Sequence, residues 1–176
     1  NAVVEGRGVP TRVVAVPGPG VNLKSLGLPF TVHELQGYID HRGREAAPLD
    51  PAELKGLRAL LGTGEGEAVA VVGKFSQRND SQERQVEKFL LEKYPHWEIT
   101  KGFEVSGQLN FLRRAATTYY TAITKGKWAE FATRIVESIR ERGITAPLNI
   151  LKADGGTMPL EISQNYPCET VFSGPA

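Results

Sequence analysis

Apolar residues along this chain follow two rhythms. Short continuous or alternating runs take turns, from about residue 49 onward, with longer stretches that recur every three to four positions. Thr11-Arg-Val-Val-Ala-Val16 is a β-branched run ended by Pro17-Gly-Pro-Gly20, which predicts a strand leaving into a turn. Residues 30–35 and then 38–44 continue in extended patterns, and a β-hairpin turning near His41 to Gly43 is expected, with 21–49 as a hairpin appendage. Asp50-Pro51-Ala-Glu53 carries three helix-start signals, a cap, a proline at the first position and a glutamate three residues on. Leu54, Leu57, Leu60 and Leu61 then share one face, and Gly62 stops the helix.

Residues 68–73 form a continuous apolar run, the mark of a strand covered on both faces. Asp80-Ser-Gln-Glu83 repeats the capping pattern and opens a helix with Val86, Phe89 and Leu90 inward. Residues 97–105 predict another strand, followed by a helical stretch over 110–142 with a break near Lys125-Gly126-Lys127. Trp128, Phe131, Ala132, Ile135, Val136 and Ile139 form an apolar stripe closed by Gly143, which predicts a principal core element with Ile135 buried. The apolar strand over 147–152 then folds that helix back against the sheet. The pattern as a whole predicts an α/β fold, a mixed sheet with helices, with residues 1–176 as one domain.

Composition narrows the function. Lys and Arg number 21 against 20 Asp and Glu, a formal charge of +1, so the electrostatic footprint of a nucleic-acid binder is absent. Arg113-Arg114 is accordingly read as a solvated or ion-paired helix face. The single cysteine, Cys168, excludes an internal disulfide and fits a reducing compartment. No apolar run approaches the ~20 residues that span a bilayer, and no signal-peptide pattern opens the sequence. The expectation is a soluble, cytoplasmic protein without membrane or nucleic-acid partners.

The candidate chemistry lies in three places. Asp154-Gly155-Gly156 follows a strand, and Ser173-Gly174-Pro175-Ala176 follows another; glycine lets backbone N–H groups approach an anionic or polar ligand closely. Asn110, Arg113 and Thr117 fall on one helical face, able to approach a carbonyl or carboxylate together, or else Ser106 or Asn110 merely caps a strand-to-helix junction. Gly62-Thr-Gly-Glu-Gly66 follows a helix and precedes a strand, the reverse of a dinucleotide loop. His33, His41, His96 and Cys168 lack metal-ligand spacing, so no metal site is expected.

Two of these segments, with the opening residues, resemble the hydantoinase A / 5-oxoprolinase / acetone carboxylase family. Asp154-Gly155-Gly156-Thr157-Met158 and Pro167-Cys-Glu169-Thr-Val-Phe-Ser173-Gly174-Pro175-Ala176 match its motifs in order and spacing, and Asn1-Ala-Val-Val-Glu5-Gly-Arg-Gly8 matches its Asn-Ala segment. Glu104-Val-Ser-Gly-Gln-Leu-Asn110-Phe-Leu-Arg113-Arg114 matches a variant of a third.

The resemblance implies an actin/hexokinase-like, ribonuclease H-like relationship with an incomplete ATPase fold, the chain being an internal piece of a longer enzyme whose two phosphate loops lie outside it. It implies ATP and Mg²⁺ in the intact protein, none in the isolated piece, and activation of a carbonyl or lactam oxygen by phosphoryl transfer. Substrates would be cyclic amides such as hydantoin or 5-oxoproline, or a ketone, with a hydantoinase B-type partner subunit. Asp154, Gly155 and Gly156 would line the substrate or nucleotide cleft, with Ser173 and Gly174 at its lip. The competing expectation is a non-catalytic scaffold or subunit-interaction module.

Overall fold

Residues 8–23, 27–61 and 68–170 are described in the computed structural model of the chain. The expected helix stop at Gly62, the turn over 62–66 and the final segment with Ser173 and Gly174 lie outside the described residues. The chain separates into two compact units, Pro10–Ala122 on the one hand and Asn1–Val9 with Ile123–Ala176 on the other.

In the larger unit the β-branched runs pair as expected. Strand β1 (Thr11–Val16) lies between β2 (Val32–Glu34) and β5 (Ala68–Gly73), and β6 (Glu98–Lys101) completes a four-stranded sheet of order β2-β1-β5-β6, parallel throughout. Every residue of β5 is buried, consistent with a strand covered on both faces. On one face Val14, Val16, Val69 and Val71 pack with Leu54, Leu57 and Leu61 of α1 (Pro51–Leu61), Val86 and Leu90 of α2 (Ser81–Leu91), and Trp97.

The β-hairpin appears as β3 (Tyr38–Ile39) against β4 (Glu45–Ala47), antiparallel. Its turn is built by Asp40, whose carboxylate accepts the N–H groups of Arg42 and Arg44, and by Gly43 at φ 83°. Among the described residues of 21–49 only this segment is a hairpin, because β2 belongs to the parallel sheet.

Several expectations are corrected. Leu60 is 61% exposed although it shares a stripe with Leu57 and Leu61. Asp50 does cap α1, accepting the Ala52 N–H at 2.8 Å, but Glu53 accepts the Gln36 N–H instead of closing a capping box. At α2 the Asn79 side chain accepts the Ser81 N–H, while Asp80 pairs with Arg84. The strand expected over 97–105 ends at Lys101 and passes into a short helical turn, α3 (Gly102–Val105), where the Phe103 N–H turns to the Glu83 carboxylate.

The long helix does not break. α4 (Phe111–Glu141) runs uninterrupted for 31 residues through Gly126, because glycine forfeits only about 1 kcal/mol against alanine and keeps its N–H, so the ladder survives. It ends in the hydrogen bonds of a Schellman motif: Gly143, at φ 67°, donates to Arg140 and Ile144 donates to Ile139.

In the smaller unit β7 (Asn149–Leu151) pairs antiparallel with β8 (Thr157–Pro159) and not with the parallel sheet, so the expected crossover does not form. A short helix α5 (Leu160–Ser163) and a 3₁₀ turn (Pro167–Thr170) follow. The stripe of α4 is only partly covered. Ala132 is buried and Trp128 reaches Ser163 with its indole N–H at 2.9 Å, but Phe131 is 48% and Val136 40% exposed, and Ile135 is half-buried.

These exposures order three truncations. Leu57→Ala is expected to destabilise by ~2–5 kcal/mol through lost transfer energy and a residual cavity. Leu60→Ala is expected to change stability by less than ~0.5 kcal/mol, with Ile135→Ala in between. Denaturant midpoints of the three variants check the order.

Candidate functional site

The carboxyl ends of β5 and β6 are closed by two fully buried charges. Glu83 lies one helical turn before Val86 and two before Leu90, which puts a carboxylate on the inward stripe of α2. One of its oxygens accepts the Gly73 N–H at 2.7 Å and the other the Phe103 N–H at 3.1 Å. Both donors belong to backbone leaving the sheet, where no strand partner remains for them. Arg114 stands on the buried face of α4 with Phe111, Ala115 and Thr118. Its guanidinium donates to the Gly73 carbonyl and to the Gln108 carbonyl, each at 2.5 Å.

Burial pushes the Glu83 carboxyl above its ordinary range, against the pull of Ser76, of the Gly73 and Phe103 N–H groups, and of the Arg114 charge. Burial likewise lowers Arg114, which the Glu83 charge opposes. Close packing surrounds the pair: a Cβ on Gly102 would come within 3.0 Å of Val72 and 3.1 Å of a Glu83 oxygen. Next door, burial disfavours the Lys101 charge, but hydrogen bonds to Glu87 at 2.6 Å and Glu104 at 2.9 Å, with their charges, outweigh it and hold the ammonium up.

This edge is also where the sheet reverses its order of connection, from β1 outward to β2 and back across to β5, the place at which open α/β sheets take their ligands. Lys74 bridges the two exits, its N–H donating to Val16 and its Nζ to the Pro19 carbonyl at 2.8 Å. Phe75 follows at φ 59°, a left-handed conformation that is strained for a bulky side chain.

The residues singled out in the sequence sit elsewhere. Asn110, Arg113 and Thr117 do share one face at the start of α4. Asn110 accepts the Arg113 N–H at 3.0 Å as the helix cap, Thr117 donates to the Arg113 carbonyl at 2.9 Å, and the Arg113 side chain is exposed. Asp154, Gly155 and Gly156 belong to the other unit, at the exposed tip of the β7–β8 hairpin. Gly155 turns the chain at φ 82°.

Asp154 accepts the Gly156 N–H at 2.9 Å and pairs with Lys152 at 3.0 Å, and these two contacts, in that order, hold its carboxyl below the usual range. Lys152 also reaches Glu169 at 3.0 Å. The placement of Asp154 past a strand of the parallel sheet is therefore corrected: the strand is half of a separate antiparallel pair.

The sequence reading does not bring Glu83 and Arg114 together: Glu83 reads as part of a capping pattern and Arg114 as part of a solvated or ion-paired helix face. The available signal was a charged residue on an apolar stripe, Glu83 in register with Val86 and Leu90, and Arg114 with Phe111, Ala115 and Thr118. Among the described residues no group of three His, Cys, Asp or Glu side chains is placed to hold a metal ion.

The larger unit is thus a parallel α/β sheet whose carboxyl edge is braced by a buried acid and base. Residues 1–94 match the hydantoinase/oxoprolinase N-terminal region and residues 114–176 match hydantoinase/oxoprolinase, and the chain belongs to the hydantoinase/oxoprolinase family.

The caprolactamase subunit alpha of Pseudomonas jessenii is 26% identical over 140 residues, 80% of this chain and 20% of that protein, so the chain spans about a fifth of the relative's length. The crystal structure of the ATP-dependent caprolactamase from Pseudomonas jessenii superposes with a TM-score of 0.77 at 22% identity, over 99% of this chain and 28% of that one. A nucleotide-free acetone carboxylase, an enzyme of ATP-dependent acetone carboxylation, superposes with 0.80 at 16% identity, over 99% and 29%. The α/β fold expected from the sequence holds.

Removing the Glu83 carboxylate leaves two buried N–H groups without acceptors. Glu83→Ala is expected to destabilise by roughly 1–3 kcal/mol for each orphaned group, and Glu83→Gln by less. Because the folded state raises the Glu83 pKa, it binds the proton more tightly than the unfolded chain. The associated stability is fully present below the ordinary value of 4.5 and is lost as pH rises through the raised one. Urea titrations should show wild type losing stability relative to Glu83→Gln as pH increases from 4.5; a difference constant with pH would contradict the shift.

Proposed function

We propose that the chain is an internal part of an ATP-dependent enzyme that activates a carbonyl or lactam oxygen, with a cyclic amide or a ketone as substrate. The carrying observation is the family match at both ends of the chain, supported by an α/β fold shared with two ATP-dependent enzymes. In this reading Asp154, Gly155 and Gly156 edge the substrate or nucleotide cleft of the longer protein with Ser173 and Gly174, and Asn110, Arg113 and Thr117 present a second polar face. A cytoplasmic location is part of the same proposal, supported by a chain whose single cysteine, Cys168, allows no internal disulfide. Among the described residues no helix is long and apolar enough to cross a membrane.

ATP and Mg²⁺ do not fit the residues described as they stand. The Gly155 N–H donates to Lys152 at 3.1 Å and the Gly156 N–H to Asp154, so the glycine pair has no spare donor for a phosphate. We therefore assign both to parts of the longer protein and derive no chemical step through them at these residues.

A second reading, a subunit-interaction module, draws on the exposed Phe131 and Val136 of α4. A hydantoinase B-type subunit is the proposed partner, in keeping with a relative that is named as a subunit.

Two measurements test the proposal. ADP release by the full-length protein is expected to rise on adding hydantoin, 5-oxoproline, caprolactam or acetone, and no stimulation by any of them would overturn it. The 176-residue chain alone is expected to show no ATP binding in the micromolar range by calorimetry. In the full-length protein, Asp154→Asn retains an acceptor for the Gly156 N–H, so turnover should fall while the melting temperature stays put if the charge has a role in the cleft.

A further inference from the structure

The smaller unit holds a groove at the base of the β7–β8 hairpin, at the opposite end from Asp154. It is lined by the last turns of α4, by residues 144–149, by the end of β8 and by α5, and has a volume of about 410 Å³. That is the size of a small-molecule site, which falls in the range of roughly 300–1,000 Å³. Val136, Ile139 and Arg140 share one face of α4 at i, i+3 and i+4, and Ile144, Leu148 and Leu160 extend the apolar wall. Leu160 is buried, whereas Val136 is 40% and Ile144 49% exposed, so the wall still has apolar surface for a ligand to cover.

Two charges line the groove, Arg140 from α4 and Glu161 from α5, and among the described residues that line it no other is charged. Both side chains are exposed, and neither makes a hydrogen bond or an ion pair with any described residue, so both are reachable and uncommitted. The strand edge adds a donor and an acceptor. Leu160 donates its N–H to the Leu148 carbonyl at 3.0 Å and Lys152 to the Gly156 carbonyl at 2.7 Å, so the hydrogen-bonded positions along β7 are 148, 150 and 152. Asn149, between them, lies opposite Pro159, which has no N–H to give, and turns its own N–H and C=O away from β8. No described residue pairs with these two groups.

We propose that this groove binds a free α-amino acid with a branched apolar side chain, its carboxylate at Arg140, its ammonium at Glu161 and its side chain on the wall of Val136, Ile139 and Ile144. One uncommitted cation and one uncommitted anion beside an apolar surface complement a zwitterion, and a ligand of single charge would leave one of them unmatched. The site stands whether or not the longer protein has the activity proposed above.

L-Leucine is the probe, titrated into the ¹⁵N-labelled 176-residue chain at neutral pH. Saturable shifts are expected at the amides of Arg140, Ile144, Asn149 and Glu161. Three analogues each lack one recognised part: glycine has no apolar side chain, 4-methylpentanoate no ammonium and 3-methylbutylamine no carboxylate. Each should bind more weakly than leucine. Arg140→Gln and Glu161→Gln should each raise the leucine Kd about two- to fivefold, the contribution of an exposed ion pair. The melting temperature should stay unchanged in both, because neither charge has a partner to lose. The variants should also separate the analogues, Arg140→Gln weakening 4-methylpentanoate but not 3-methylbutylamine, and Glu161→Gln the reverse. The proposal is overturned if leucine gives no saturable shift, if any of the three analogues binds as tightly as leucine, or if either substitution leaves leucine binding unchanged.

Discussion

Both polar groups of one peptide residue, Gly73, are taken by buried charges, its N–H by Glu83 and its carbonyl by Arg114. Much of the larger unit depends on this arrangement. A central parallel strand must end somewhere, and its last N–H and C=O lose their ladder partners in a place that water does not reach. Glu83 brings an acceptor from α2 and Arg114 a donor from α4, so two helices are tied to the end of the same strand. The second oxygen of Glu83 takes the Phe103 N–H, which turns the chain after β6 into α3. A carboxylate in such surroundings is unfavourable by itself, and its hydrogen bonds and the nearby guanidinium are what make its burial tolerable. The same packing leaves little room beside it, which is why residue 102 is a glycine.

The consequence for function is that the carboxyl edge of the sheet is stiff. Lys74 links the exits of β1 and β5, and Phe75 is held in a conformation its side chain disfavours. Strain of this kind persists only where the surroundings over-determine the backbone. The buried brace on Gly73 supplies that determination two residues earlier. Asp154, by contrast, sits at the tip of an exposed hairpin and is occupied with its own turn, a weaker form of organisation.

The smaller unit is less self-sufficient. Its strands are short and paired only with each other, and Phe131, Val136, Ile144 and Ile162 keep large parts of their surfaces in water. Scattered exposed apolar residues are ordinary, and of these four only Phe131 and Val136 lie on α4.

The sequence by itself determined the elements whose signals are local. β-branched runs made β1 and β5, Asp50 capped α1, Gly143 closed α4, and the motifs around Asp154 and Ser173 pointed to the family. These depend on dihedral preference, capping and spacing, which neighbouring residues decide among themselves. Only the tertiary structure decided which apolar faces are covered and which strands pair. Leu57 and Leu60 look alike in the helical pattern, yet one is buried and the other in water; β7 looks like a sheet strand, yet β8 competes for its hydrogen bonds and wins by proximity. The buried pair shows the limit most plainly: Glu83 and Arg114 are far apart in sequence, and a charged residue is assigned to solvent unless a partner across the fold supplies the hydrogen bonds that let it leave water.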